Sequence, residues 1–475
     1  MANKNKGIYD ASTLGKPKMF ILGVQHMFAM FGATILVPML TGLDVSTTLL
    51  MAGLGTLLFH FLTKFKVPAF LGSSFAFLGG YAAVKGLAPE GTDPASMLPY
   101  ACLGVACAGL VYLVLAAIIK GIGVDKVMRF FPPVVTGPII IAIGLGLAPS
   151  AVDNCTKNWF LAFVALAVIV IFNIWGKGMA KIIPIILGLL ISYGVGLILY
   201  FIAKGNPHLI SDMPWLFSGG LNDKGQYIEI FDFSRLNTIF NNIGAGKIFD
   251  SQGLIGLPIH WENTVFGGID WSNGTTIASA IIAIIPISLA TMMEHVGDIS
   301  AIGSTVGKNY IQDPGLHRTL LGDGLATTLA SLFGGPANTT YGENTGVLAL
   351  TKVYDPKVIR IAAYFAVGIS FFPAVSAIIG SIPGCIIGGI SFVLYGMISS
   401  IGIRNVVENK VDFTKSRNLI VAAVILVCAL GLGDTVSFSI GSAQINLSAL
   451  AVASIAGIVL NAIFPGKDYK FKSSK

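Results

Sequence analysis

The chain has 475 residues, of which 54% are apolar and only 11% are charged, and its mean hydropathy is +0.79. Soluble globular proteins carry about 25% charged residues, so a soluble domain of this size is excluded, as is a disordered chain, which would be polar. The formal net charge of +7 does not indicate nucleic-acid binding, because the basic residues lie at the edges of the apolar runs. The composition is that of a polytopic membrane protein.

Fourteen apolar runs follow one another, most of them near the roughly 20 residues that a helix needs to cross the hydrocarbon core. They lie at about 19–40, 47–63, 70–84, 97–119, 131–149, 158–176, 182–203, 275–297, 319–334, 341–351, 359–380, 382–403, 418–432 and 446–464. The runs at 70–84 and 341–351 are short, rich in glycine and preceded by polar residues. The pattern predicts an all-α polytopic protein with fourteen transmembrane segments, two of them interrupted.

The distribution of lysine and arginine predicts the orientation of these segments. If the amino terminus is cytoplasmic, 24 of the 30 basic residues lie inside and 6 lie outside. Adding or removing one helix would invert every loop after it. Both termini are therefore predicted to be cytoplasmic, in a multi-pass protein of the cell membrane. Residues 1–18 are polar and no small-residue cleavage site follows the first run, so no cleavable signal peptide is expected.

A long outside connection, residues 204–274, divides the chain into segments 1–203 and 275–475, each with seven spans. We expect an ordered surface loop or small cap there. The ordinary interpretation of such a segment is an insertion that has no role in transport. Because seven is odd, the two halves enter the membrane from opposite sides, and any repeat between them is inverted. The two interrupted spans are third in each half, which points to a transporter's midplane binding site.

Four acidic residues fall inside apolar runs: Glu294, Asp298, Asp323 and Glu343. An ionised side chain there costs from about 3 to more than 10 kcal/mol, so such groups face a cavity, find partners or carry a proton. Glu294 and Asp298 share one helix face, which favours a single proton held between them, unless the span ends near Glu294 and both are hydrated. For His295, packing and proton relay both stay open. Asp323 either ties helices together or lies near an interrupted span.

The two interrupted segments combine backbone breaks with polar groups. Residues 334–346 contain Gly and Pro breaks, extended polar backbone and then a half-helix that begins near Glu343. Free N–H groups at such a helix start bind carbonyl oxygens, and a neighbouring carboxylate accepts N–H donors. Residues 67–77 add backbone amides, hydroxyls and the aromatic ring of Phe75, for which core packing is the ordinary alternative. Together they suit a small flat ligand with C=O and N–H edges.

The first span carries Gln25 and His26, for which satisfied hydrogen bonds between helices are the default interpretation. With this patch the chain resembles the nucleobase–ascorbate transporter (nucleobase:cation symporter-2) family, and within it the bacterial uracil:proton symporters. The similarity covers roughly residues 19–205 and 275–465. The motifs that carry it lie at 25–34, 68–77, 294–297, 313–318 and 338–344, and the run 343–352 is similar to the family signature.

The resemblance implies two inverted seven-span repeats, with short extended strands in the third and tenth spans. Spans 1–4 and 8–11 would form a core domain that moves against a gate domain of spans 5–7 and 12–14. It also implies a homodimer that imports uracil with protons. The family's ligand contacts map onto Glu294, Glu343, Tyr341 and the backbone amides of Phe75 and Gly342. Supporting positions would be Gln25, His26, Ser74 and Asn344.

One position departs from this pattern. Uracil carriers similar to this chain often have His at the place of Asp298, where purine carriers often have Asp, whereas Glu343 favours uracil because purine carriers more often show Gln. The proton site, Glu294 or Asp298, therefore stays open, and sodium coupling is not excluded. Xanthine or another purine is the alternative substrate.

Two rival classes have less support. An anion carrier or channel of similar fold would need an in-membrane Arg or Lys to hold the anion, whereas the predicted site of this chain has carboxylates and neither of these residues. The sequence has no HExxH or GxSxG motif, and its five cysteines form no CxxC pair, so no enzyme, metal site or cofactor is predicted.

Overall fold

A computed structural model of the chain describes residues 7–89, 91–181, 183–222, 224–433, 435–440 and 443–466. The side chains of Met128, Glu343 and Thr435, and those of residues 437–440 and 443–446, lie outside this description. The predicted cytoplasmic ends, residues 1–6 and 467–475, also lie outside it.

The described part of the chain is mostly helical. In its first half the helices are α1 Lys16–Thr41, α2 Val45–Leu62, α3 Leu78–Lys85, α4 Leu98–Ile122, α5 Val124–Met128, α6 Pro133–Thr156, α7 Trp159–Trp175 and α8 Pro184–Gly205. The outer connection contains α9 Leu209–Asp212, α10 Pro214–Phe217, α11 Ser234–Gly244 and α12 Val265–Gly268. The second half has α13 Gly274–Ile284, α14 Ile287–Val306, α15 Leu316–Leu332, α16 Gly342–Thr351, α17 Pro356–Ser370, α18 Pro373–Gly380, α19 Gly384–Glu408, α20 Ser416–Gly431 and α21 Ala449–Ile463.

Seven helical stretches of the described chain are long and apolar enough to cross a membrane, and the bent pair α17 and α18 would make an eighth. Helices α7, α20 and α21 are apolar but shorter. One of the seven stretches runs from Gly274 to Val306, with a break between α13 and α14 at Pro286. The helix therefore continues for three turns beyond Glu294, which places Glu294 and Asp298 in its interior rather than at its end.

Two short strands, β1 Leu71–Ser73 and β2 Asn338–Thr340, pair antiparallel inside the helices, with Leu71 opposite Thr340 and Ser73 opposite Asn338. All six residues are buried. Neighbouring helices satisfy polar groups of the strands: Thr56 of α2 hydrogen-bonds the N–H and C=O of Leu71, and Thr327 of α15 donates to the carbonyl of Asn338. Irregular backbone at membrane depth is stable where protein supplies such partners.

The long helices form two bundles. Helices α1, α2, α4, α13, α14, α15, α16 and α17 surround the strands and are called the strand bundle; α6, α7, α8, α19, α20 and α21 form the frame bundle. Glycine brings helices together in both. A β-carbon on Gly109 of α4 or Gly324 of α15 would lie 2.7 Å from the other's carbonyl oxygen. In the frame bundle, a β-carbon on Gly402 of α19 would lie 2.7 Å from the carbonyl of Gly137 in α6. Such contacts are typical of membrane helix pairs.

The outer connection touches both bundles. Asn158, at the start of α7 in the frame bundle, donates to the carbonyl of Ser218 at 2.9 Å. Thr47 of the strand bundle donates to the carbonyl of Pro258, and the Gly256 amide donates to Phe371. A second hairpin, β3 Thr435–Ile440 with β4 Ala443–Ser448, follows α20, and β4 packs against α13 and α3.

Candidate functional site

The two interrupted segments meet through the strand pair. The Ser74 amide donates to Ala337 and the Tyr341 amide to Phe70, which extends the ladder by one bond at each end. After β1 the chain forms a 3-10 turn, Phe75–Phe77, that leads into α3, and after β2 it enters α16 at Gly342. The first N–H groups of a helix lack partners within that helix. Each strand therefore delivers a helix start, with the amides of Phe75 and Gly342, to the centre of the bundle.

Tyr341 folds back over β1. Its hydroxyl donates to the Ser73 carbonyl at 3.1 Å and lies 3.3 Å from the Thr34 hydroxyl of α1, and the side chain is 3% exposed. Gly72 lies beneath the ring: a β-carbon there would be 2.5 Å from the Tyr341 ring and 2.8 Å from the Thr34 oxygen. Gly72 is thus the residue that lets Tyr341 lie against the strand.

Glu294 and Asp298 lie on one face of α14, and both are half-buried. Gly297, between them in height, and Ser304, further along the same face, are exposed. Asp298 reaches the second interrupted segment: Thr340 donates to its Oδ2 at 3.2 Å, and its Oδ1 would be 3.6 Å from a β-carbon on Gly342. A carboxylate at the start of α16 is favoured by the helix dipole. The side chain of Glu343, the other predicted ligand, lies outside the described residues.

Behind this face, His295 and Asp323 form a buried pair. The imidazole Nδ1 lies 3.3 Å from Asp323 Oδ2, and neither side chain is exposed to solvent. The same Nδ1 lies 3.4 Å from the Thr340 hydroxyl. Asp323 therefore reaches the second interrupted segment through His295. Sequence reasoning left two roles open for each of these residues and did not single out Thr340, because no local pattern shows which side chains from α14, α15 and β2 will meet.

The four predicted supporting residues are only partly brought together. His26 and Asn344 are buried, and neither their ring nor their amide atoms have a hydrogen-bond partner among the described residues. The Ser74 hydroxyl is likewise buried without a partner in that part of the chain, whereas Gln25 is half-buried. Buried polar groups of this kind are costly, so a ligand that bonded to them would remove a penalty. Phe75 contacts the frame bundle, its ring centroid 6.3 Å from that of Tyr395 in α19.

A cavity of about 1640 Å³ separates the two bundles on one side. Its wall includes Ile299, Ser300, Gly303 and Ser304 of α14, so it begins beside Asp298. The basic side chains that line its mouth are Arg129, Lys308, Lys410, Lys415 and Arg417, and the acidic ones are Asp125, Glu408 and Asp412.

Asp412 at this mouth remains ionised near neutral pH. Hydrogen bonds from the hydroxyl and amide of Thr414 hold the pKa of its carboxyl below the usual value. The cavity is therefore lined by charged groups at one end and by the residues of α14 that directly follow Asp298.

Comparison with known proteins now identifies the family. A family model described as a permease family matches residues 17–440. The chain belongs to this permease family. It is 38% identical to the uracil permease of Bacillus caldolyticus, over 97% of this chain and 94% of that protein. It is 36% identical to the uracil permease of Bacillus subtilis, over 97% and 95% of the two chains, and 35% identical to a probable uracil permease of Haemophilus influenzae, over 96% of each.

Solved structures show the fold. The transmembrane domain of the cyanobacterium bicarbonate transporter BicA matches with a TM-score of 0.51 at 13% identity, covering 95% of this chain and 99% of that one. The murine Solute Carrier 26 family member A9 anion transporter matches with a TM-score of 0.53 at 10% identity, over 98% and 69% of the chains. At such identities the likeness concerns the fold alone. The chain is thus a multi-pass membrane permease with a transporter fold, and its family is one of transporters rather than enzymes.

Proposed function

We propose that this permease imports uracil together with a proton. The observation that carries the proposal is the meeting of the two interrupted segments with the Glu294–Asp298 face of α14, where Thr340 donates to Asp298. The next residues of α14, Ile299 and Ser300, line the wide cavity. The relatives named uracil permease, aligned over nearly the whole chain, support uracil as the substrate. A pyrimidine ring offers alternating C=O and N–H edges, which match helix-start amides and carboxylates.

The ligand would bind with its N–H groups toward Glu294 and Glu343 and its carbonyl groups toward the amides of Phe75 and Gly342. Tyr341 closes one wall, and Ser74, Asn344, Gln25 and His26 stand behind the site. The unpartnered polar atoms of His26, Ser74 and Asn344 support this location, because a polar ligand would lower the cost of their burial.

The protein would have fourteen transmembrane segments in two inverted repeats, residues 1–203 and 275–475. Support comes from the packing. When each span of one half is exchanged for the span of equal number in the other half, a helix pair that is in contact becomes another pair that is in contact. In the strand bundle α4 packs on α15 and α17 on α2, and in the frame bundle α19 packs on α7 and α20 on α6. The Thr56 and Thr327 hydroxyls also bond β1 and β2 in the same manner. The strand bundle then corresponds to the core domain and the frame bundle to the gate domain.

The structure represents an inward-open state in this proposal. All five basic residues of the cavity mouth belong to the segments that the charge distribution predicts to be cytoplasmic. On the other face, β4 of the second hairpin packs on α13 and α3 and joins the two bundles. Both termini are placed in the cytoplasm by the same assignment.

Transport would proceed by movement of the core domain against the gate domain. Protonation at Glu294 and Asp298 removes charge before the site crosses the dry contact between bundles, because an ionised empty pair is costly there. Uracil and the proton then leave through the cavity. Two copies would form a homodimer in the bilayer, each with its own site.

A purine base, xanthine above all, is the second candidate, and Asp298 is the observation that favours it. Uptake of labelled uracil into proteoliposomes, with imposed pH or sodium gradients and a panel of competing bases, separates the cases. We expect uptake driven by an inward proton gradient and blocked by unlabelled uracil but not by xanthine. Competition by xanthine at equal concentration would establish the purine alternative, and uptake driven only by sodium would remove the proton. Currents without any nucleobase would indicate a channel.

A further inference from the structure

Thr340 lies between Asp298 and the buried His295–Asp323 pair, which the proposed mechanism does not connect. Its hydroxyl oxygen is 3.2 Å from Asp298 Oδ2 and 3.4 Å from His295 Nδ1, and His295 in turn is 3.3 Å from Asp323 Oδ2. The four side chains form a path of close contacts from the half-buried carboxyl of Asp298 to the fully buried carboxyl of Asp323, and its last contact is an ion pair.

The hydroxyl of Thr340 has one hydrogen and two neighbours that can accept it. When Asp298 is ionised, the hydroxyl donates to Asp298, and His295 with hydrogen on Nδ1 forms an ion pair with Asp323. When Asp298 is protonated, it donates to the Thr340 oxygen, and the hydroxyl donates to Nδ1, which must then carry no hydrogen. The two arrangements are exclusive, so the hydroxyl transmits the protonation state of Asp298.

The buried pair accommodates both arrangements at zero net charge. In the first it is imidazolium with carboxylate, and in the second it is neutral imidazole, protonated at Nε2, with a carboxylic acid. The hydrogen that leaves Nδ1 moves to Asp323 Oδ2 and turns away from the ring, because the one lone pair of Nδ1 then accepts the Thr340 hydrogen. The single proton taken up from water resides on Asp298. A pair that stays neutral in both forms avoids the large cost of an isolated buried charge.

Resting on the proposed function, we infer that Thr340 is a positioning residue for proton coupling. It links protonation of Asp298 to a proton shift within the buried His295–Asp323 pair. Thr340 immediately precedes Tyr341 and Gly342, which are proposed ligand contacts. The residue proposed for proton coupling and two of the proposed ligand contacts are therefore consecutive in the chain.

Other titratable groups surround this path and are part of its environment. Glu294 lies one turn away on α14, and Tyr112 of α4 donates to Thr291 at 2.5 Å and interacts electrostatically with Asp323 and Glu294. From α2, His60 bonds the Ala69 carbonyl at 2.8 Å. Tyr341 follows Thr340 on the strand side. Of the frame helices that touch α14, the described part of α21 carries no titratable group, and α6 carries Asp153 and Cys155 only in its last turn.

The test is the pH profile of labelled-uracil uptake by the full-length protein in proteoliposomes. Thr340→Val keeps the β-branched shape and removes the hydroxyl that donates to ionised Asp298. We expect its uptake to decline at a pH about one unit higher than that of the wild type, because a hydrogen bond to a charged group is lost. Thr340→Ser retains the hydroxyl and should restore the wild-type profile.

Thr339→Val is the matched control. It lies in the same strand and is equally buried, and its hydroxyl has no hydrogen-bond partner among the described residues. Its profile should coincide with that of the wild type. An equal shift in Thr339→Val, or no shift in Thr340→Val, would overturn the inference.

A double variant tests the role of the buried pair. Asp323→Asn cannot accept the shifted proton, so adding Thr340→Val should change the pH dependence of uracil binding by less than half as much as in the wild-type background. A shift of full size would show that the pair is not involved. Failure of the wild type to transport uracil at all would instead refute the proposed function, so the two failures are distinguishable.

Discussion

Helices α1 and α14 hold equivalent places in the two proposed repeats, yet they use similar polar residues in opposite ways. Gln25 and His26 in α1 match Glu294 and His295 in α14, and both histidines are fully buried. His295 lies between Thr340 and Asp323, whereas the ring of His26 has no hydrogen-bond partner among the described residues. The difference teaches that burial of a polar residue does not define its role. The partners supplied by neighbouring elements do.

The largest functional difference between α1 and α14 is expected at the acidic residue, Glu294. Glu294→Ala should abolish uptake, with a loss of about 100-fold or more, since removing one partner of a desolvated charged contact costs about 2–5 kcal/mol. Glu343→Ala is expected to behave in the same way. Labelled-uracil uptake, normalised to the amount of protein inserted in the membrane, measures both.

Gln25→Ala is the matched control for Glu294→Ala. It should reduce uptake by less than tenfold, because a neutral amide makes weaker contacts than a carboxylate. Normal uptake in Glu294→Ala or Glu343→Ala would remove that residue from the site.

The next largest effect is expected at Gly72, which lies beneath the Tyr341 ring. Gly72→Ala places a methyl group against the Tyr341 ring and the Thr34 oxygen, which links α1 to the second interrupted segment. Overpacking of this kind costs about 1–3 kcal/mol, and we expect uracil affinity to fall by roughly tenfold or more. Equilibrium binding of labelled uracil measures it. Gly79→Ala, where a β-carbon meets no atom within 4 Å, should leave affinity unchanged.

The two histidines should differ in their effect on stability. His295→Leu leaves Asp323 buried without its partner, and breaking a buried pair costs about 3–5 kcal/mol. His26→Leu removes an unpartnered imidazole and should leave the midpoint of thermal unfolding unchanged or higher. Thermal unfolding in detergent measures both. Equal destabilisation by the two substitutions would show that the pairing of His295 with Asp323 contributes nothing.

The smallest effect is expected where the segment before α1 touches the end of α14. The Tyr9 hydroxyl donates to the carbonyl of Val306 at 2.6 Å, and Lys308 lies over the Tyr9 ring at 4.7 Å. Tyr9→Phe removes the hydrogen bond, worth about 1 kcal/mol, and retains the ring. Unfolding should shift by a few degrees at most with uptake preserved. A large loss of uptake would mean that this contact controls the site rather than the stability of the helix end.

Sequence reasoning went furthest where local chemistry decides the structure. Pro68 and Gly72 before the first half-helix, and Gly335 and Pro336 before the second, marked the two places where the backbone cannot stay helical. The acidic residues inside apolar runs indicated that α14 needs polar surroundings, and the Thr340 hydroxyl supplies one such contact to Asp298. The number of transmembrane segments and the ligand contacts remain predictions.

Contacts between distant segments could not be predicted. Thr340 and Asp323 are separated from His295 by 45 and by 28 residues of sequence, and only the antiparallel pairing of β1 with β2 fixes where Thr340 stands. The hairpin of β3 and β4 was missed for a different reason. Residues 435–440 and 443–448 alternate polar and apolar side chains around a Gly-Ser pair, which is a hairpin pattern, but the interpretation considered only apolar runs long enough to span a membrane. The break at Pro286 and the bend between α17 and α18 depend on packing as well as on proline.

The glycine contacts between α6 and α19 have a mechanical consequence. Main chain lies directly against main chain where Gly137 meets Gly402 and where Gly144 meets the Tyr395 carbonyl. A seam of this kind has few long side chains that could change rotamer and let one helix slide past its neighbour. In the proposed mechanism the frame bundle would therefore move as a rigid unit. Exchange of access between the two faces of the bilayer would be accommodated at its boundary with the strand bundle, where α14 touches α6 and α21 and α1 touches α8.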